Sequence, residues 1–137
     1  MKIIKDFDES IFLDIAKASG VKQTVADIGY AKFCYYHSKD KRYAERIDED
    51  AWILGVVNKD SLRIIGMATR QSAQGKGYGT LLLKRAIAFC RQKGLKKITT
   101  RTFSGKKFYQ KKGKAVVVGM KDGDYLMEIN ISGKGGV

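Results

Sequence analysis

The stretch "RQSAQGKGYGTLLL", residues 70–83, sets three alternate glycines, Gly75, Gly77 and Gly79, between a polar turn and a leucine run. Glycine is a poor helix former, so packing alone does not select it where a helix is about to begin. It frees the backbone angles and lets a ligand approach the main chain closely. A helix start adds unpaired N–H groups and the positive end of the helix dipole. Together these features describe a cradle for phosphate. Spacing excludes two familiar versions. A nucleotide P-loop needs Gly, four residues, then Gly-Lys-Ser/Thr, which this stretch does not supply. A dinucleotide fingerprint needs G-x-G-x-x-G, but the position three after Gly77 is Thr80.

Working outward, "MKIIKDF" reads as a short edge strand and "ESIFLDIAKASG" as an amphipathic helix closed by Gly20. "TVADIGYAKFCYYHS" reads as a helix in which Thr24 and Asp27 form a capping pair. Tyr30, Phe33, Cys34 and His37 then share one face. "DKRYAERIDED" is polar and reads as a loop, and "AWILGVV-NKD-SLRIIGMAT" as a hairpin. After the glycines a helix runs from Thr80 to Lys93. Leu82, Leu83, Ala86, Ile87, Phe89 and Cys90 form its apolar face, and Gly94 ends it. "KKITTRT" is a strand and "KKFYQKK" a short helix. "AVVVGM-KDGD-YLMEINI" is a hairpin marked by its Asp122-Gly123 turn. The order is that of a mixed α/β domain with an antiparallel bias, over residues 1–131, followed by a flexible glycine-rich tail at 132–137.

Composition bounds the function. The chain has 137 residues, 44% of them hydrophobic and 30% charged, which suits one soluble globular domain. No apolar run is long enough to cross a membrane, and "MKIIKDFDES" lacks the apolar core of a signal peptide. Cys34 and Cys90 lack metal-ligand spacing and, with a single histidine, make no metal site. A reduced, cytoplasmic protein is the plain reading. The net charge of +13 is unevenly spread: residues 61–121 hold 16 Lys and Arg and no Asp or Glu. The basic field therefore belongs to the part that carries the glycine turn, where it attracts anions.

The glycine turn and one later element resemble the GCN5-related N-acetyltransferase (GNAT) family. Its signature is Gln/Arg-x-x-Gly-x-Gly/Ala between a central strand and a long helix, and residues Gln74 to Gly79 fill it. Phe108-Tyr109-Gln110-Lys111-Lys112-Gly113 looks like the aromatic-Tyr element that the family carries downstream. The resemblance covers roughly residues 50–130. It implies a largely antiparallel central sheet flanked by helices, with a splayed central strand pair. It also implies acetyl-CoA as acyl donor and no metal.

Under that resemblance the pyrophosphate lies on the N–H groups from Gln74 through Thr80, over Gly75, Gly77 and Gly79, and Lys76 adds a charge-assisted contact. Thr69 and Gln71 are placed to pair with the pantetheine arm through backbone groups. Tyr109 is the candidate general acid that protonates the leaving thiolate, in a surrounding rich in lysine. Many family members use a glutamate on the central strands as base, but residues 61–121 contain no carboxylate. Glu45, Asp48, Glu49, Asp50 and His37 remain, with a water chain as the alternative. Two further departures sit near the thiol end: Thr102 where the family often has Asn, and Gly113-Lys114 where Gly-Phe is common. The acceptor is a primary amine, of open identity. The basic half favours an RNA-linked or nucleoprotein amine such as aminoacyl-tRNA, and the other reading is a basic nucleic-acid-binding module of the same fold.

Overall fold

The structure, a computed structural model, describes residues 1–37 and 41–131, with residues 33 and 35–37 as backbone only. The expected tail at 132–137 and the side chain of His37 lie outside the described residues. In chain order the elements are β1 (Ile3–Ile4), α1 (Glu9–Ala18), α2 (Lys22–His37), β2 (Arg42–Ile47), β3 (Ala51–Asn58) and β4 (Ser61–Thr69). Then come α3 (Tyr78–Lys93), β5 (Lys97–Thr102), α4 (Lys106–Gly113), β6 (Val116–Lys121) and β7 (Asp124–Asn130). The seven strands hydrogen-bond in the order β1-β2-β3-β4-β5-β7-β6. Of the registered pairs only β4 with β5 is parallel. That register runs from Ser61↔Lys97 to Ile64↔Thr100 and ends there, as a splayed pair requires. The expected mixed, largely antiparallel sheet is what forms.

By packing, the chain forms two compact units, Met1–Val56 with Ile65–Leu82, and Val57–Ile64 with the chain from Leu83 onward. In the first, Asp8 caps α1 by accepting from the Ile11 N–H at 3.1 Å. Phe12, Ile15 and Ala16 of α1 meet Ile28 and Ala31 of α2, Trp52 and Leu54 of β3, and Ala68 of β4 in one apolar cluster. Trp52 is its centre. The indole stacks on Phe12 with centroids 5.5 Å apart, and its Nε1–H donates to the Phe12 carbonyl at 2.9 Å. The polar handle of a fully buried indole is thereby satisfied.

Two expectations are corrected in this unit. The polar run after the second helix contains strand β2, paired with β1 and β3 along its length. Charged residues mask its alternation, and their burial is compensated. Glu45, 3% exposed, accepts from the Tyr43 hydroxyl at 3.1 Å, and Arg46 donates to Asp6 Oδ1 and to the Asp48 carbonyl. Second, Thr24 does not cap α2. The helix starts earlier, at Lys22, and the Thr24 hydroxyl donates back to the carbonyls of Ala16 and Val21. Among the described residues, Thr24, Ile28 and Ala31 form the buried stripe of α2, and Tyr30 is 43% exposed.

The second unit closes as expected. Leu83, Ala86 and Cys90 of α3 are buried, as are Ile98, Met127 and Ile129 of the strands. Burial pushes the Cys90 thiol up to about 11, so it is an inert packing group. Asp122 and Gly123 both have positive φ, 52° and 84°, as the tight hairpin between β6 and β7 demands. Arg101 holds that turn from β5 through Asp122 and Asp124.

The indole bond sets a stability test. Trp52→Phe keeps an aromatic ring but removes the buried N–H donor and part of the buried area, so urea unfolding should show a loss of about 2 kcal/mol with an unchanged m-value.

Candidate functional site

Strand β4 delivers the chain into a single 3-10 turn, Gln71–Ala73, and then into the glycine loop and α3. Gly75 and Gly77 have φ of +86° and +83°, a left-handed region that L side chains rarely adopt. A Cβ on either would meet no protein atom within 4 Å. Backbone angle, not internal crowding, therefore selects glycine here, and the open side faces away from the protein. Gly79 lies inside the first turn of α3 without a positive φ.

The consequence is a row of free donors. The first α3 backbone bond runs from the Leu81 N–H to the Gly77 carbonyl at 3.0 Å. Among the described residues, the N–H groups of residues 75–80 have no protein acceptor. Such groups stay stable only where water or a ligand can take their hydrogen bonds. No acidic residue occupies the first turn of α3 to compete for them. Lys76 is exposed beside them and forms no ion pair among the described residues. Six donors without a protein acceptor, a positive dipole end and one loose ammonium suit a pyrophosphate.

Gln74 does a different job from the one its place in the motif suggests. Its own N–H is already bonded to the Gln71 carbonyl. Its side-chain Nε2 donates to the carbonyls of Ser19 and Thr69, both at 3.1 Å, tying the loop to the end of α1 and the end of β4. Gln71 packs against Gly20, where a Cβ would come within 2.5 Å of its Nε2. The carbonyls of Thr69 and Gln71 thus serve Gln74. The donor row begins at Gly75, one residue later than spacing implied.

Tyr109 lies on α4 and is 6% exposed. Its ring meets Phe108 edge-on at 5.3 Å. The ring has room because residue 105 is glycine: a Cβ there would stand 3.2 Å from Tyr109 Cε2. Thr102, the departure from Asn, accepts the Gly105 N–H at 2.7 Å and fixes the turn into α4. Gly113 lets the end of α4 seat on β7 and α3, since a Cβ would fall 2.7 Å from Ile129 Cδ1 and 3.1 Å from Leu83 Cδ2. Lys114 takes the left-handed C-cap. Of the neighbouring lysines, Lys106 sits over the Tyr125 ring at 4.4 Å, whereas Lys107, Lys111 and Lys112 are exposed. Sequence reasoning passed over Gly105, although a glycine opening a short helix was its signal.

Of the candidate bases, two carboxylates accept hydrogen bonds within the protein. Glu45 is buried under Tyr43, the Asp48 carboxylate accepts from the Lys2 N–H, and Glu49 is exposed. Asp50 uses its backbone to hold Ile47 and Arg70. No group of three or more metal-ligating side chains gathers among the described residues. None of their helices is long and apolar enough to cross a membrane.

No curated protein sequence matches significantly. Solved structures do match. PaiA N-acetyltransferase from Thermoplasma acidophilum, in complex with coenzyme A, aligns with a TM-score of 0.74 at 15% identity, covering 95% of this chain and 99% of that one. The ribosomal-protein-S18-alanine N-acetyltransferase from Escherichia coli gives 0.71 at 14%, covering 95% and 93%. An aminoglycoside 6'-N-acetyltransferase complexed with coenzyme A gives 0.70 at 14%, covering 96% and 97%. These likenesses establish the fold. The family model described as acetyltransferase (GNAT) family matches residues 28–113, a span that takes in both the glycine loop and Tyr109. With more than half of the chain matched by that model, the protein belongs to the GNAT family of acetyltransferases.

Proposed function

We propose that the protein transfers an acetyl group from acetyl-CoA to a primary amine by direct attack. The observation that carries this reading is the row of unsatisfied N–H groups at residues 75–80. The pyrophosphate of the donor accepts from that row, and Lys76 adds charge. The pantetheine arm runs along the end of β4, at Thr69 and Gln71. The neutral amine attacks the thioester carbonyl, a C–N bond forms and the C–S bond breaks. The Tyr109 hydroxyl gives its proton to the departing thiolate, and the amine's surplus proton leaves through water. No single carboxylate acts as base, in keeping with the engagement of Glu45 and Asp48.

The basic half favours an RNA-linked acceptor, such as aminoacyl-tRNA. The phosphates of coenzyme A carry only about four negative charges, against 16 Lys and Arg with no acid in residues 61–121. Some of these charges are neutralised locally, as Lys96 is by Asp60 and Lys97 by Glu128. Lys84, Arg91, Lys93, Lys107, Lys111 and Lys112 are exposed and form no ion pair among the described residues.

Three measurements test this function. Gly77→Asp sets a carboxylate and a Cβ into the donor row, so calorimetry should find acetyl-CoA binding lost while circular dichroism shows a folded protein. Equal affinity in the variant would remove the pyrophosphate from this loop. Tyr109→Phe should keep the KM for acetyl-CoA and lower kcat by on the order of 10²–10⁴, whereas changing Glu45, Asp48, Glu49 and Asp50 singly to the amides should leave measurable transfer each time. Arg91→Gln with Lys93→Gln, at the far end of α3 from the glycines, should weaken filter retention of tRNA without changing acetyl-CoA affinity. Retention should also fall steeply with salt, because releasing counterions into a saltier solution gains less free energy. Absence of retention by the wild type at low salt would direct the search to small amines.

A further inference from the structure

Phe103, in the bend between β5 and α4, is 73% exposed, and its ring touches no other ring among the described residues. The bend that carries it is fixed, since Thr102 Oγ1 accepts the Gly105 N–H at 2.7 Å and Gly105 leads directly into α4. A hydrogen-bonded turn thus holds a large aromatic ring out in water, where its apolar area contributes nothing to folding. The surroundings are apolar, aromatic and basic. The strand registers set Thr102 opposite Tyr125 and Tyr125 opposite Met120, and directly opposed side chains share a face of the sheet. Met120 is 61% exposed and Tyr125 half-buried. Lys106 lies over the Tyr125 ring at 4.4 Å, which brings the first turn of α4 onto this row. Lys107 and Lys121 are exposed and form no ion pair among the described residues. The acids of the adjoining turn, Asp122 and Asp124, are both paired with Arg101. All of these residues belong to the second compact unit.

We propose that Phe103 is a stacking platform for an unpaired nucleobase of the acceptor, an inference that rests on the RNA-linked reading above. A base in a single strand offers a flat π face, with a phosphate on either side of it. The Phe103 ring takes the face, and the ammonium groups of Lys107 and Lys121 meet the phosphates. Met120 and Tyr125 continue the apolar floor beside the ring, with Lys106 adding charge over it. Charge selects this occupant. An exposed ring among uncompensated lysines suits a partner that is both aromatic and anionic, and nucleic acid is the macromolecule that joins the two. A duplex hides its base faces in the stack, so the platform takes a loop, a bulge or a single-stranded end.

The test compares filter retention of a short oligoadenylate with that of duplex DNA by the full chain. Phe103→Ala should raise the dissociation constant for the oligoadenylate by roughly five- to a hundredfold and leave that for the duplex unchanged. The salt dependence of retention should keep its slope, because no phosphate contact is lost. Phe103→Leu, apolar but without a π face, should behave like Phe103→Ala, and Phe103→Trp should restore retention. All three variants should keep the wild-type melting temperature, since the ring is exposed, and the wild-type affinity for acetyl-CoA in calorimetry. Oligoadenylate retention indifferent to Phe103→Ala would overturn the platform and leave the RNA-linked reading standing. A variant that instead loses affinity for acetyl-CoA would assign the ring to the adenine of the coenzyme, and that too overturns the proposal. No retention by the wild type at low salt would remove the platform and the RNA-linked reading together, with acetyl transfer to small amines untouched.

Discussion

A backbone N–H without a protein acceptor must turn to water or to a ligand, and residues 75–80 leave six such groups in a row among the described residues. Most of the site follows from how that row is created and kept. It exists because Gly75 and Gly77 turn the chain with positive φ into the start of α3, where no carbonyl lies four residues back. It stays open because no acid sits in the first helical turn. A loop with so few bonds of its own needs a rigid frame behind it, and Gln74 supplies one through the carbonyls of Ser19 and Thr69.

The same economy of charge extends through the second unit. Acids lie on either side of the basic stretch in sequence, and the fold brings a few of them back: Asp60 to Lys96, Glu128 to Lys97, Asp122 and Asp124 to Arg101. These exposed pairs contribute little each. They do, however, hold β5 and the β6–β7 turn with local charge balance, while Lys76 in the glycine loop and the exposed lysines of α3 and α4 form no ion pair among the described residues. An anion therefore meets uncompensated charge at the loop as well as on both helices.

Much of this was legible beforehand, for identifiable reasons. The glycine spacing, the Asp122-Gly123 turn and the 3.6-residue rhythm of Leu82, Leu83, Ala86 and Cys90 are local signals, and the structure follows each. Strand β2 was not legible, because Glu45 and Arg46 look solvated until Tyr43, Asp6 and the Asp48 carbonyl arrive from elsewhere to satisfy them. The start of α2 was misplaced for a similar reason: the Thr24 hydroxyl is spent on the carbonyls of Ala16 and Val21. At the site, residue types were readable but the division of labour within Gln74 was not. Whether an amide side chain faces a ligand or braces its own loop depends on the neighbours the fold supplies, here the carbonyl of Ser19.

The brace between Gln74 and Ser19 has a wider reach. It joins the loop to the α1–α2 junction, the same junction where Gly20 leaves no space for a Cβ beside Gln71. Gly20 also turns that junction with a φ of +81°, an angle at which any other residue is strained, while the amide end of Gln71 lies against it. The backbone angle of one residue between the first two helices thus helps to hold a corner that braces a loop some fifty residues later in the chain.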